Sequence, residues 1–300
     1  MKHVIVFTAD VHGNEAQYEK LVEYARRIRA DSVVIGGDIA PKGASLDRYI
    51  RGRETFTIKD FIGWQRRFLK ERLPELLRPL DESHIPAFVM MGNDDCRINE
   101  PVLEENWYRS IHGRRVRLTG DIDLVGYSCV PLTPFQLKDW EKFDFSQPPN
   151  HLRQRYEERK KGNYNCHGVH SQIGGMVPVN FGFEEEVSDS IQNDLQNGVY
   201  GTRPDKTVYA MHCPPDNTAL DQLVGGMHVG SLAIREFIEE TKPLLTLHGH
   251  IHETVDVSGR FVERIGDTYS FSAGNDNMSR NLAVVVVDVY KPEEARRVIL

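Results

Sequence analysis

The chain has 300 residues, 40% of them hydrophobic and 27% charged, with a formal net charge of −7. This composition excludes the disordered and collagen-like classes, and it argues against a protein that coats nucleic acid or anionic membrane, partners that reward an excess of Lys and Arg. Four cysteines, Cys96, Cys129, Cys166 and Cys213, stand far apart with no CxxC, which reads as reduced thiols in a cytoplasmic chain and not as a disulfide framework.

The opening MKHVIVFTAD carries an apolar run too short for a signal-peptide core. It is read as a first strand, Val4 to Phe7, entering a polar loop from Thr8 to Asn14. A helix from about Glu15 to Arg29 follows, then a buried strand from Ser32 to Ile35 ending in GGD. Helical period continues over Lys59 to Leu80, with Pro74 expected to break or kink it. Ala87 to Met91 makes a third strand, ending in GNDD. Alternating strand and helix predicts parallel strands covered by helices, with polar clusters at the C-terminal strand ends, where open α/β sheets place their ligands.

Thr133 to Phe183 breaks the alternation with Pro134, Pro148, Pro149 and several glycines around a charged helical piece, RQRYEERKK. It is read as an insertion or cap over the site within one domain of residues 1–300, a long surface excursion being the alternative. Beyond it come a strand from Thr207 to Met211 ending in HCPP, a helix capped by Ser231 and running to about Thr241, and a strand from Pro243 to Leu247 ending in HGH. The remainder alternates short β-rich runs with turns, which predicts a largely antiparallel second half of the sheet system. The longest aliphatic run, Leu282 to Val287, covers about a third of the ~20 residues a membrane span requires, so no membrane insertion is expected.

Five of these strands end in metal-ligand residue types: Asp10 and His12, Asp38, Asn93 with Asp94, His212, and His248 with His250. Imidazole, carboxylate and amide oxygen together suit manganese, iron or zinc, whereas magnesium and calcium take nearly all-oxygen sites. An Asp with two oxygens can bridge two such ions, and a two-ion site serves phosphoryl transfer: each ion holds a phosphoryl oxygen, and a bridging water loses its proton near neutral pH and attacks phosphorus.

The series DVH, GGD, GND, HCPP and HGHIHE resembles, in order, the motifs of the calcineurin-like metallophosphoesterase superfamily. The resemblance implies an α/β fold, a four-layer αββα sandwich of two mixed β-sheets flanked by helices with the metal site at the C-terminal strand ends. It implies two divalent transition-metal ions, one held by Asp10, His12 and His250 and the other by Asn93, His212 and His248, with Asp38 between them. His252 is left outside this shell as a ligand-orienting or surface residue. The implied activity is hydrolysis of small phosphate esters, nucleotide- or lipid-derived, with phosphodiesters preferred and phosphomonoesters the alternative.

The chief departure is Asp94, which stands where most of the family carries a proton-donating histidine. Beside two dications its carboxyl is expected to be ionised and a poor acid. Either the leaving group requires no acid, or another group such as His228 in the GGMHVG loop supplies the proton, or metal binds without turnover. His228 is otherwise a solvated loop histidine. Cys166, His167 and His170 are read as incidental and not as a zinc site, Asp216 and Asn217 as a turn, and Cys213 as a packed thiol. A protein-interaction scaffold on the same fold and a nuclease are the rival readings, the second disfavoured by the net charge.

Overall fold

The computed structural model describes residues 2–42, 58–162, 164–198, 200, 203–276 and 278–300. β1 (Val4–Thr8) and β2 (Ser32–Gly36) pair in parallel and are apolar on both faces, as strands covered on both sides must be. Between them α1 (Glu15–Ile28) starts at Asn14, whose side chain accepts from the Gln17 N–H at 3.3 Å, and stops at Arg29 in the left-handed conformation.

The helical stretch expected to break or kink at Pro74 stays helical, with an irregular turn just before the proline. α2 (Ile58–Arg67) passes through one wide π turn at Phe68–Arg72 into α3 (Leu73–Glu82). The Leu73 N–H reaches back to the Phe68 carbonyl, so the widened turn takes up the misfit of a proline ring whose nitrogen has no hydrogen to donate. β3 (Ala87–Met90) then joins β2 in parallel, and β4 (Arg109–Ser110) joins β3.

β5 (Arg115–Thr119) and β6 (Ile122–Tyr127) form a hairpin. A series of short elements follows: β7 (Val130–Pro131), β8 (Glu141–Lys142), α4 (Arg153–Gly162), the hairpin β9 (His167–Gln172) and β10 (Gly175–Asn180), α5 (Phe183–Ser188) and α6 (Ile191–Asn197). A fully buried pair anchors its start: Lys138 Nζ lies 2.6 Å from Glu141 Oε2 and donates to the Thr133 carbonyl at 2.6 Å.

The chain closes with β11 (Thr207–Met211), α7 (Leu232–Thr241), β12 (Leu245–His248), α8 (Thr254–Ser258), β13 (Val262–Ile265), β14 (Thr268–Ser272), β15 (Ala283–Asp288) and β16 (Lys291–Ile299). Ser231 caps α7, its hydroxyl accepting from the Ile234 N–H at 3.0 Å. Two six-stranded sheets result, ordered β16-β15-β1-β2-β3-β4 and β13-β14-β12-β11-β6-β5. After Ile251 the pairings are largely antiparallel, as expected, β13 with β14, β15 with β1 and β16 with β15; the exception is β14, which runs parallel to β12 and extends the parallel series β6, β11 and β12. The connection from β12 to β14 passes through α8 and β13, long enough for a crossover that returns to the same end of the sheet. In the first sheet the antiparallel members are β15 and β16.

The two sheets face each other. Ile5, Phe7 and Val34 share one apolar core with Leu124, Ala210 and Leu247 of the opposite sheet. Their strand neighbours Val6, Val33 and Ile35 pack outward with Leu21 of α1 and Leu77 of α3. Period-two alternation within each strand thus builds the four-layer αββα arrangement. No helix among the described residues is long and apolar enough to cross a membrane.

Candidate metal centre

The loops leaving β1 and β2 run side by side beyond the sheet edge: the Asp10 N–H donates to the Gly37 carbonyl at 3.0 Å and the His12 N–H to the Asp38 carbonyl at 2.8 Å. Asp10, His12, Asp38 and His250 all hold positive φ, between 46° and 70°. For non-glycine residues this conformation costs about 1–3 kcal/mol each, and such strain gathers where function fixes the backbone. Gly92 makes the close approach possible, since a Cβ there would stand 2.4 Å from Asp38 Oδ1 and 2.6 Å from His212 Nε2.

Around these turns the side chains converge. Asp38 Oδ2 lies 3.5 Å from His12 Nε2 and 3.5 Å from His212 Nε2. On one side, His12 Nε2 is 3.2 Å from His252 Nε2, which is 3.7 Å from Asp10 Oδ1. Ligand atoms of Asp10, His12, Asp38 and His252 all fall within 4.8 Å of one another, as a group holding one ion would. On the other side, Asn93 Oδ1 is 3.1 Å from His212 Nε2 and 2.7 Å from His250 Nδ1. The His212 ring is aimed by its Nδ1, which faces the Gly36 carbonyl at 2.8 Å.

Electrostatics in this buried cluster follow the same geometry. Burial alone would raise the Asp38 carboxyl, but His212 and His12 beside it hold it well below the usual carboxylate range. Burial disfavours a charged His212, yet Asp38 and then Asp10 carry its ring up to about 9. His250 is pushed down to about 3, first by burial and then by His212. Burial also lowers His12 and raises Asp10. A neutral imidazole presents a lone pair, the form a metal ion requires.

Two positions read from the sequence move. His248, expected among the ligands, is the last residue of β12 and shares a strand face with Thr246, opposite Leu245 and Leu247: its Nε2 meets Thr246 Oγ1 at 2.7 Å, and its Nδ1 meets the carbonyls of Met211 and Cys213 at 3.0 and 2.9 Å. Both ring nitrogens are thus taken by protein groups. His252, left out of the shell, stands in the cluster instead. The signal was present but ambiguous, because HGHIH contains the HxH spacing twice; only the position of the strand's end selects the second pair.

His228 is not brought to the cluster either. Its Nδ1 is paired with Asp221 Oδ1 at 2.7 Å, so the ring is tied to its own loop. Asp94 does reach the site: its N–H donates to Asp38 Oδ1 at 2.8 Å and its carboxylate pairs with Lys42. Asp95 turns inward, where its carboxylate accepts the N–H groups of Gly92, Ile39 and Ala40 at 2.8, 3.0 and 2.8 Å. Burial, with Asp38 adding to it, raises that carboxyl to about 7. The two adjacent acids thus have separate tasks, one facing the site and one stitching the β2 and β3 loops together. Sequence alone did not assign the second.

Of the remaining candidates, His170 Nε2 meets the Lys138 carbonyl at 3.0 Å and Cys213 is fully buried. Asp216 is buried between Arg159 and Arg155, and Asn217 holds a left-handed turn. A cavity of about 460 Å³ opens over the cluster, a size suited to a small molecule. Asp38, Asn93, Asp94, His250 and His252 line it, and the stretch between β7 and β9 contributes Thr133 to Phe135, Arg159 and Tyr164 to its wall.

The family model described as calcineurin-like phosphoesterase matches residues 3–254. Among solved structures, the TT1561 protein of Thermus thermophilus aligns at 15% identity over 99% of both chains with a TM-score of 0.50. A dimetal phosphatase from Danio rerio aligns at 12% identity over 99% of this chain and 98% of its own, also with a TM-score of 0.50. These two likenesses concern the fold. No curated protein matches the chain.

Proposed function

This chain belongs to the calcineurin-like phosphoesterase family, and on that premise we propose that it hydrolyses phosphate esters at a pair of divalent metal ions, with phosphodiesters preferred. The observation that carries the reading is the placement of Asp38 Oδ2 at 3.5 Å from both His12 Nε2 and His212 Nε2, a carboxylate midway between two nitrogen donors. Asp10, His12 and His252 would hold one ion, Asn93, His212 and His250 the other, and Asp38 both. The mixed nitrogen and oxygen donor set fits manganese, iron or zinc.

Bound there, two such ions supply Lewis acidity toward a phosphoryl group and lower the pKa of water. The chain's own residues do the rest. Asp38 would offset the repulsion between two cations, the Gly36 carbonyl orients His212, and the Asp94 N–H fixes the Asp38 carboxylate. Lys42, paired with Asp94 in the cavity lining, offers positive charge to an ester oxygen. Asp94, its carboxylate paired with Lys42, is not read as the proton donor, which suits esters whose leaving group departs unaided; preference for diesters is inferred from this missing acid.

The test is hydrolysis of matched aryl phosphate mono- and diesters by metal-stripped protein before and after manganese is added. Ion-dependent cleavage with the diester favoured is the expected result. Absence of turnover with two ions bound per chain would refute the reading.

A further inference from the structure

The cavity over the metal centre is chemically mixed. Beside the acidic and imidazole groups, much of the lining is aliphatic or aromatic: Leu132, Phe135, Leu223, Val229, Ile251 and Met278. Three polar side chains of the lining are already engaged. The Thr133 hydroxyl bonds to Glu141, the Tyr164 hydroxyl donates to Asp144 Oδ2 at 2.8 Å, and the Arg159 guanidinium is held by Asp216 and by the carbonyls of Gly230 and His228. Groups so committed present no free edge to a substrate.

The apolar lining also continues outward. Phe135 and Met278 are 53% and 67% exposed at the mouth, and the turn that carries Leu223 and Val229 also carries Val224 and Met227, 79% and 54% exposed. Exposed apolar side chains contiguous with a pocket mark a surface meant for contact.

Resting on the phosphoesterase reading, we infer that the substrate's second substituent is a hydrocarbon chain: the protein takes amphiphilic phosphate esters, phosphate at the metal centre and alkyl chain along the Phe135, Val229 and Met278 wall. A nucleobase fits this wall poorly, because bases are told apart through hydrogen bonds to their edges and Thr133, Tyr164 and Arg159 are already paired within the protein. The wall is rigid where the chain would lie, since the Thr133 backbone is held by the buried Lys138 and Glu141 pair.

The experiment has two arms. In the first, manganese-loaded protein is given 4-nitrophenyl diesters carrying methyl, butyl or octyl groups, all below their micelle concentrations, with a 4-nitrophenyl nucleotide diester alongside. In the second, binding of methyl- and octylphosphonate is measured by calorimetry, which requires no turnover. Expected are a kcat/KM that climbs with chain length, by up to about fourfold per buried methylene, and at least tenfold tighter binding of octylphosphonate. The double variant Phe135→Ser, Met278→Ser, both on exposed side chains, lowers the octyl to methyl ratio at least fivefold. Equal turnover of all chain lengths, or a nucleotide diester that outpaces the octyl ester, overturns the inference while leaving the hydrolase. Loss of all turnover with chain-length-dependent phosphonate binding overturns the hydrolase while keeping the alkyl site.

Discussion

The Nε2 atoms of His12 and His252 lie 3.2 Å apart although 240 positions separate them in the chain. Two imidazole nitrogens that close, beside the carboxylates of Asp10 and Asp38, share one locus, and on the proposed reading it is His252 and not His248 that would serve as a metal ligand.

The exchange makes the first prediction. His252→Ala removes a ligand and lowers metal-dependent hydrolysis at least a hundredfold, with about one divalent ion lost per chain by elemental analysis. His248→Ala instead breaks contacts inside β12 and its neighbours and lowers stability by about 2–4 kcal/mol in urea unfolding, while its ion content stays at the native value. If His248→Ala strips an ion and His252→Ala does not, the assignment is reversed.

A second prediction concerns pH and the metal-free protein. The His212 ring is raised in the fold to about 9, so the stability it contributes is fully present below its unfolded value of 6.5 and is lost as pH climbs through 9. Linkage puts the loss on the order of 3 kcal/mol. Melting temperature should therefore fall between pH 6.5 and 9 in chelator and hold steady over that range with manganese bound, because a ligating imidazole carries no proton to lose. A flat profile in chelator would remove the Asp38 and His212 pairing as its source.

Asp95 is expected to behave as a structural acid. Asp95→Ala strands the buried N–H groups of Gly92, Ile39 and Ala40, at a cost of about 3–5 kcal/mol. Asp95→Asn keeps an acceptor oxygen and costs less. Equilibrium unfolding of the two variants distinguishes this from a catalytic role, in which Asn and Ala would lose activity together without losing stability.

Asp94→Ala should leave ion content unchanged and, because the pair with Lys42 is partly exposed, shift stability by no more than about 1 kcal/mol. Its kcat on aryl esters should fall less than tenfold. A loss of a hundredfold or more would place Asp94 in proton transfer after all.

The sequence by itself determined the order of strands and helices in the N-terminal third, the Ser231 start of one helix, and the placing of Asp10, His12, Asp38, Asn93 and His212 at strand ends. These depend on local matters: apolar periodicity, capping side chains, and the turn residues that follow a buried strand. Tertiary structure alone decided the rest. It set the parallel order of β6, β11, β12 and β14, because strand direction follows from how a crossover packs and not from composition. It turned Asp94 to the cavity and Asp95 to the core, kept His228 on Asp221, and chose His252 over His248. In each case neighbouring residues of the same chemistry differ only in where the backbone aims them, and that aim is set by the end of a strand and by partners distant in the chain.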